Sequence, residues 1–158
     1  MRRQRLLLLI TVLSPLLLLA LAEAGLRIAG IGQREPLFVP VASAPGYLQP
    51  NEAVIQRFFP DPRLAPRVAI DTQWFPARKP AGMFRVVVQG ESSAAGFPYG
   101  RWASPAALLQ QRLQRMYPGR RIEVINTAMA AVTSYVLLDF ADEILAIQPD
   151  AIVIYTGH

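Results

Sequence analysis

The sequence predicts a doubly wound α/β domain with a parallel sheet over residues 83–158, and two observations carry that prediction. Three short apolar, β-rich runs recur, "FRVVVQG" (Phe84 to Gly90), "RIEVIN" (Arg121 to Asn126) and "AIVIYTG" (Ala151 to Gly157). Between them lie two segments of helical period, so strand and helix alternate, the pattern of a sheet whose parallel strands are joined by helical crossovers.

The chain begins with a compositionally separate leader, residues 1–30. Arg2, Arg3 and Arg5 precede an uncharged apolar stretch from Leu6 to Ala22. Such a stretch is either a membrane anchor or an export signal, since it sits at the lower limit of about 17–25 residues for a spanning helix and slightly above the usual signal length. Ala20-Leu21-Ala22 has the small-x-small form of a cleavage site. Arginines before the run and few after it orient the N-terminus inward. The expected location is therefore the inner membrane with the domain on the extracytoplasmic, periplasmic side, or export after cleavage near Ala22.

Residues 31–82 are interrupted by prolines throughout, which excludes a long helix or a central strand. They read as an extended segment or a set of short strands laid over the domain, and Phe58, Phe59, Trp74 and Phe75 argue against a disordered linker. "FRVVVQG" then has the continuous apolar run of a buried strand. In "SPAALLQQRLQRMYPG", Ser104 is a predicted N-cap, Pro105 suits the first helical position, Leu109, Leu113 and Met116 recur at helical spacing, and Pro118-Gly119 stops the helix. After "RIEVIN", Ser134 is read as the cap of a second helix with Leu137, Phe140, Ala141 and Ile144 on one face, ending near Gln148-Pro149.

Composition excludes several functions. With no cysteine, neither disulfides nor thiolate metal sites are available. The net charge of +5 does not indicate nucleic acid: setting aside Arg2, Arg3 and Arg5, 13 basic residues face 11 acidic ones, and no basic stripe with interleaved aromatics is present. Arg112, Arg115, Arg120 and Arg121 surround a helix end, where the dipole favours cations.

Parallel strands present their following loops at one edge, where ligands bind in sheets of this kind. The loops are Gly90 to Gly100, Thr127 to Thr133, and Gly157 onward. Phosphate-binding readings fail on spacing, because five residues separate Gly90 from Gly96 and Phe97 stands where a P-loop needs lysine. Gly90-Glu91-Ser92-Ser93-Ala94 lacks the final glycine of a nucleophile elbow.

"VVVQGESS" resembles the first signature block of the SGNH (GDSL-type) hydrolase superfamily, with Gly90-Glu91-Ser92 in place of Gly-Asp-Ser. "VINTAMAAVTSY" resembles the second block, keeping Asn126 and placing alanines at 128 and 131. "IYTGH" resembles the start of the third, with Gly157 and His158. The resemblance implies a flavodoxin-like three-layer αβα domain, incomplete in these residues, that cleaves or transfers an acyl group through an acyl-serine without metal or organic cofactor. It implies Ser92 as nucleophile, with Ala131 offering an oxyanion amide and Asn126 and Glu91 supporting the loops. Ser93, Gly157 and His158 line the substrate, Ser93 being also the rival nucleophile and His158 the rival base. The third-block asparagine would be residue 159, and the family's Asp-x-x-His pair is not in the sequence. The chain therefore reads as the N-terminal part of a longer protein, inactive by itself. The substrate class expected from the compartment is an ester on an envelope glycan or lipid. An O-acyltransferase, a non-catalytic glycan-binding module and a scaffold segment are the alternatives.

Overall fold

The structure is a computed structural model that describes residues 2–30, 32, 34–66, 68 and 70–157. It divides into two units, Met1–Arg34 and Glu35–His158.

The first unit is a single helix, α1 (Arg2–Ile28). Its segment Ile10–Ile28 is long and apolar enough to cross a membrane or to serve as a signal sequence. Pro15 lies inside it, a residue tolerated in lipid-embedded helices better than in aqueous ones. Near the end, Arg27 pairs with Glu23 one turn earlier at 2.7 Å, an exposed contact of little energetic weight.

The second unit is mixed α/β, built on a parallel three-stranded sheet. The strands β1 (Phe38–Pro40), β2 (Tyr47–Pro50) and β3 (Phe75–Pro76) form a small antiparallel sheet from the proline-rich segment. The main sheet follows: β4 (Met83–Gly90), α2 (Ser92–Ala95), α3 (Pro105–Met116), β5 (Arg121–Asn126), α4 (Ser134–Asp139), α5 (Ala141–Ala146) and β6 (Ala151–Tyr155). Its order is β5-β4-β6, with Val86 opposite both Val124 and Ala151.

Alternation along β4 feeds two cores. Val86 and Val88 point to the face covered by α3, meeting Val124 and Ile122 of β5, Ala106, and the half-buried Leu109 and Leu113. Val87 points to the other face, where Ile125, Met129, Val136, Phe140 and Ile144 gather with Leu37, Val54, Ile70 and Phe75. Residues of the proline-rich segment thus share a core with the sheet. Tyr155 and the aliphatic residues of β6 from Ile152 to Ile154 remain exposed on both faces.

Three predicted details differ. The single helix expected from Ser134 to Gln148 is split at Phe140, whose N–H bonds toward the Val136 and Leu138 carbonyls. That tightening leaves Phe140 fully buried against Phe58, with ring centroids 5.8 Å apart. The N-cap of α4 is Thr133, not Ser134, and its side chain makes no capping bond. Met116, expected on the apolar face of α3, is exposed because the chain leaves helical geometry at Tyr117. Ser104 does cap α3, accepting from the Ala107 N–H at 3.2 Å.

A polar residue sits where the strand pattern suggests only apolar packing. Arg85 of β4 is wholly buried. Its guanidinium donates to Glu123 Oε2 at 2.7 Å, to the Ile147 carbonyl at 2.7 Å and to the Pro76 carbonyl at 2.8 Å. It also stacks 5.2 Å from the centre of the Phe75 ring. One side chain thereby joins the small sheet, β4, β5 and the end of α5.

Candidate active site

β4 ends at Gly90, and the chain turns at once into α2 with Ser92 as its first residue. Glycine is required there by close approach: a Cβ at residue 90 would lie 2.6 Å from the Ala94 Cβ and against the Tyr155 carbonyl oxygen of β6. The turn closes at Gly96, at φ 103°, where its N–H caps α2 through the Ser92 and Ser93 carbonyls. L-residues with a side chain rarely adopt that angle.

Asn126, at the end of β5, holds this turn from the neighbouring strand. Its Nδ2 donates to the Ala94 carbonyl at 3.0 Å while its Oδ1 accepts from the Ala128 N–H at 3.1 Å. The Met129 N–H reaches the Gly90 carbonyl at 3.1 Å. The loop after β5 is therefore bonded both to the end of β4 and to the serine turn. On the other side, Tyr155 of β6 pairs with Gly90.

The predicted site residues fall as follows. Ser92 is half-buried and Ser93 exposed; Glu91 is buried just ahead of α2 without capping it. Asn126 is buried and spends its amide on backbone groups. Ala131 is exposed in the loop after β5 at φ 55°. Gly157 is exposed beyond β6, and His158 lies outside the described residues.

The backbone conformation at Ala131 is left-handed, at φ 55°. It costs an L-residue about 1–2 kcal/mol, partly offset by the backbone entropy glycine would lose. Ala131→Gly should stabilise the fold by about 0.5–1 kcal/mol, read as an increased urea midpoint with unchanged slope.

A second group of residues, unmarked by any motif, lines a cleft of about 500 Å³ beside the loop that follows α2. Asp71, Gln73 and Trp74 form one part of the lining, and Arg101, Trp102 and Gln111 another. Asp71 Oδ1 is buried with no hydrogen-bond partner among the described residues. Arg101 Nη1 stands 3.5 Å from it, close enough for an ion pair and long for a hydrogen bond. Burial raises the Asp71 carboxyl above the usual carboxylate range, with Arg101 and the Gln73 backbone amide opposing. The only sequence signal for this cleft was that both tryptophans fall outside the periodic segments.

Among the described residues, no group of three or more His, Cys, Asp or Glu side chains is arranged to hold a metal ion. Comparisons with protein families, curated proteins and solved structures found no match.

Proposed function

We propose that the protein is an SGNH-type serine hydrolase on a doubly wound sheet, carried on the extracytoplasmic side of the inner membrane by α1 or exported from it. It acts on an acyl ester of an envelope glycan or lipid. The observation that supports this reading is the serine turn itself: Ser92 follows the central strand of a parallel sheet directly, and Asn126 of the adjacent strand is bonded to that turn. The motif resemblance at the same positions supports it independently of the geometry.

In this mechanism Ser92 Oγ attacks the ester carbonyl carbon. A base takes the hydroxyl proton, and the alcohol leaves with a proton returned to it, generating an acyl-serine that water or a sugar hydroxyl then resolves. The tetrahedral oxyanion needs preorganised donors. The backbone N–H groups at the start of α2, which a helix leaves without intrahelical partners, are one source, and the loop carrying Ala131 is a second. The single histidine of the chain is His158; the resemblance instead draws the base from an Asp-x-x-His pair that these residues do not contain.

Fluorophosphonate labelling of the protein in its native membrane tests the reading. Labelling is expected for the wild type and for Ser93→Ala, and is expected to be abolished in Ser92→Ala. Persistent labelling of Ser92→Ala, or none in the wild type, would sink it.

A further inference from the structure

The cleft lined by Asp71, Trp74, Arg101 and Trp102 meets conditions for ligand binding that do not depend on Ser92. Its volume lies within the range of about 300–1,000 Å³ usual for small-molecule sites. Both tryptophans of the chain line it, and both are exposed, Trp74 at 52% and Trp102 at 74%. Large aromatic rings left in water at one place signal a binding surface more than a packing accident. The Arg101 guanidinium covers the Trp102 ring at 4.5 Å from its centre, yet most of that indole stays accessible.

The polar lining narrows the chemistry. Asp71 Oδ1 has no hydrogen-bond partner among the described residues, Arg101 Nη1 standing 3.5 Å away, so the fitting ligand brings an O–H or N–H. Gln73 and Gln111 add amides, and Arg101 adds a donor fork. Gln110, also in the wall, is already committed to the β5 backbone through Ile122 and Val124. The Asp71 carboxylate in the lining disfavours anionic headgroups, and the Gln73 and Gln111 amides disfavour an alkyl chain. Flat rings with one apolar C–H face and a rim of hydroxyls satisfy both halves, because C–H groups are attracted to the negative face of an indole.

We propose that this cleft is a binding subsite for a neutral pyranose saccharide, with sugar rings stacked on Trp74 and Trp102 and a hydroxyl or acetamido N–H donated to Asp71. It goes beyond the esterase reading, which requires no such site, and stands if Ser92 proves catalytically silent. Should both hold, the ester acted on is carried by a glycan.

Because both indoles are in the cleft, intrinsic tryptophan emission reports on it directly. The full chain in neutral detergent is titrated with a β-linked N-acetylglucosamine tetrasaccharide and with maltotetraose. A saturable change in emission with at least one of them is expected, unchanged in Ser92→Ala. Trp102→Ala and Asp71→Asn should each weaken that affinity by about tenfold or more. Trp102 is exposed, so its replacement opens no core cavity, and circular dichroism confirms folding of each variant. For Trp102→Ala the remaining indole, Trp74, still reports. Absence of a saturable response in the wild type, or wild-type affinity in folded Trp102→Ala or Asp71→Asn, overturns the assignment. A blue shift only on reconstitution into phosphatidylethanolamine and phosphatidylglycerol vesicles also overturns it, by giving the indoles to the membrane surface. Loss of fluorophosphonate labelling bears on Ser92 alone, so the two readings fail separately.

Discussion

Gly90→Ala is expected to detach β6 from β4 and disorder the serine turn in one step. The added Cβ would meet the Tyr155 carbonyl of β6 and the Ala94 Cβ of α2, the latter at 2.6 Å. Neither obstacle is the free end of a flexible side chain. Relief requires a strand or a helix to move, so the cost should lie at or above the usual ~1–3 kcal/mol of overpacking. Hydrogen exchange should show lost protection of β6 amides facing β4, and fluorophosphonate labelling of Ser92 should fall with it. Gly119→Ala is the matched control, because nothing lies within 4 Å of its Cβ position; it should change stability by less than about 0.5 kcal/mol. Equal stability of the two variants would mean that β4, β6 and α2 do not approach as closely as described.

The second large effect is expected at the buried Arg85–Glu123 pair. Glu123→Ala leaves a wholly buried guanidinium without its counter-charge, and losing one partner of such a pair costs about 3–5 kcal/mol. The Ile147 and Pro76 carbonyls continue to accept from Arg85, but neutral acceptors do not replace a carboxylate. Replacing both residues together, Arg85→Met with Glu123→Leu, should lie closer to the wild type than Glu123→Ala does, since burying two charges carries its own penalty. Urea denaturation of the wild type and the two variants, followed by far-ultraviolet circular dichroism, measures this. A double variant at least as unstable as Glu123→Ala would show that Arg85 acts through its carbonyl contacts rather than through Glu123.

Local patterns announced much of this architecture. The apolar runs Phe84 to Gly90, Arg121 to Asn126 and Ala151 to Gly157 carry the strands Met83–Gly90, Arg121–Asn126 and Ala151–Tyr155, and Ser104-Pro105 opens a helix, because these signals are encoded within a few adjacent residues. The split at Phe140 was not legible. Helical period continues across it, and only the core that buries Phe140 against Phe58 favours the tighter turn. Arg85 was equally hidden, since a charge inside a strand reads as solvent-facing until its three acceptors, brought from β3, β5 and the end of α5, are in place.

The same division runs through the proposed site residues. Ser92 and Asn126 were visible because each directly follows or ends a strand, where sequence order alone puts it at the carboxyl edge of a parallel sheet. That Asn126 spends its amide on the serine turn, and that residue 131 takes a left-handed backbone, required the crossing of β5 beside β4. The cleft of Asp71, Trp74, Arg101 and Trp102 lay furthest from view. Its two halves are separated along the chain by the whole of β4 and α2, and no short-range periodicity records a contact made only when a proline-rich segment folds back over the loop ahead of α3.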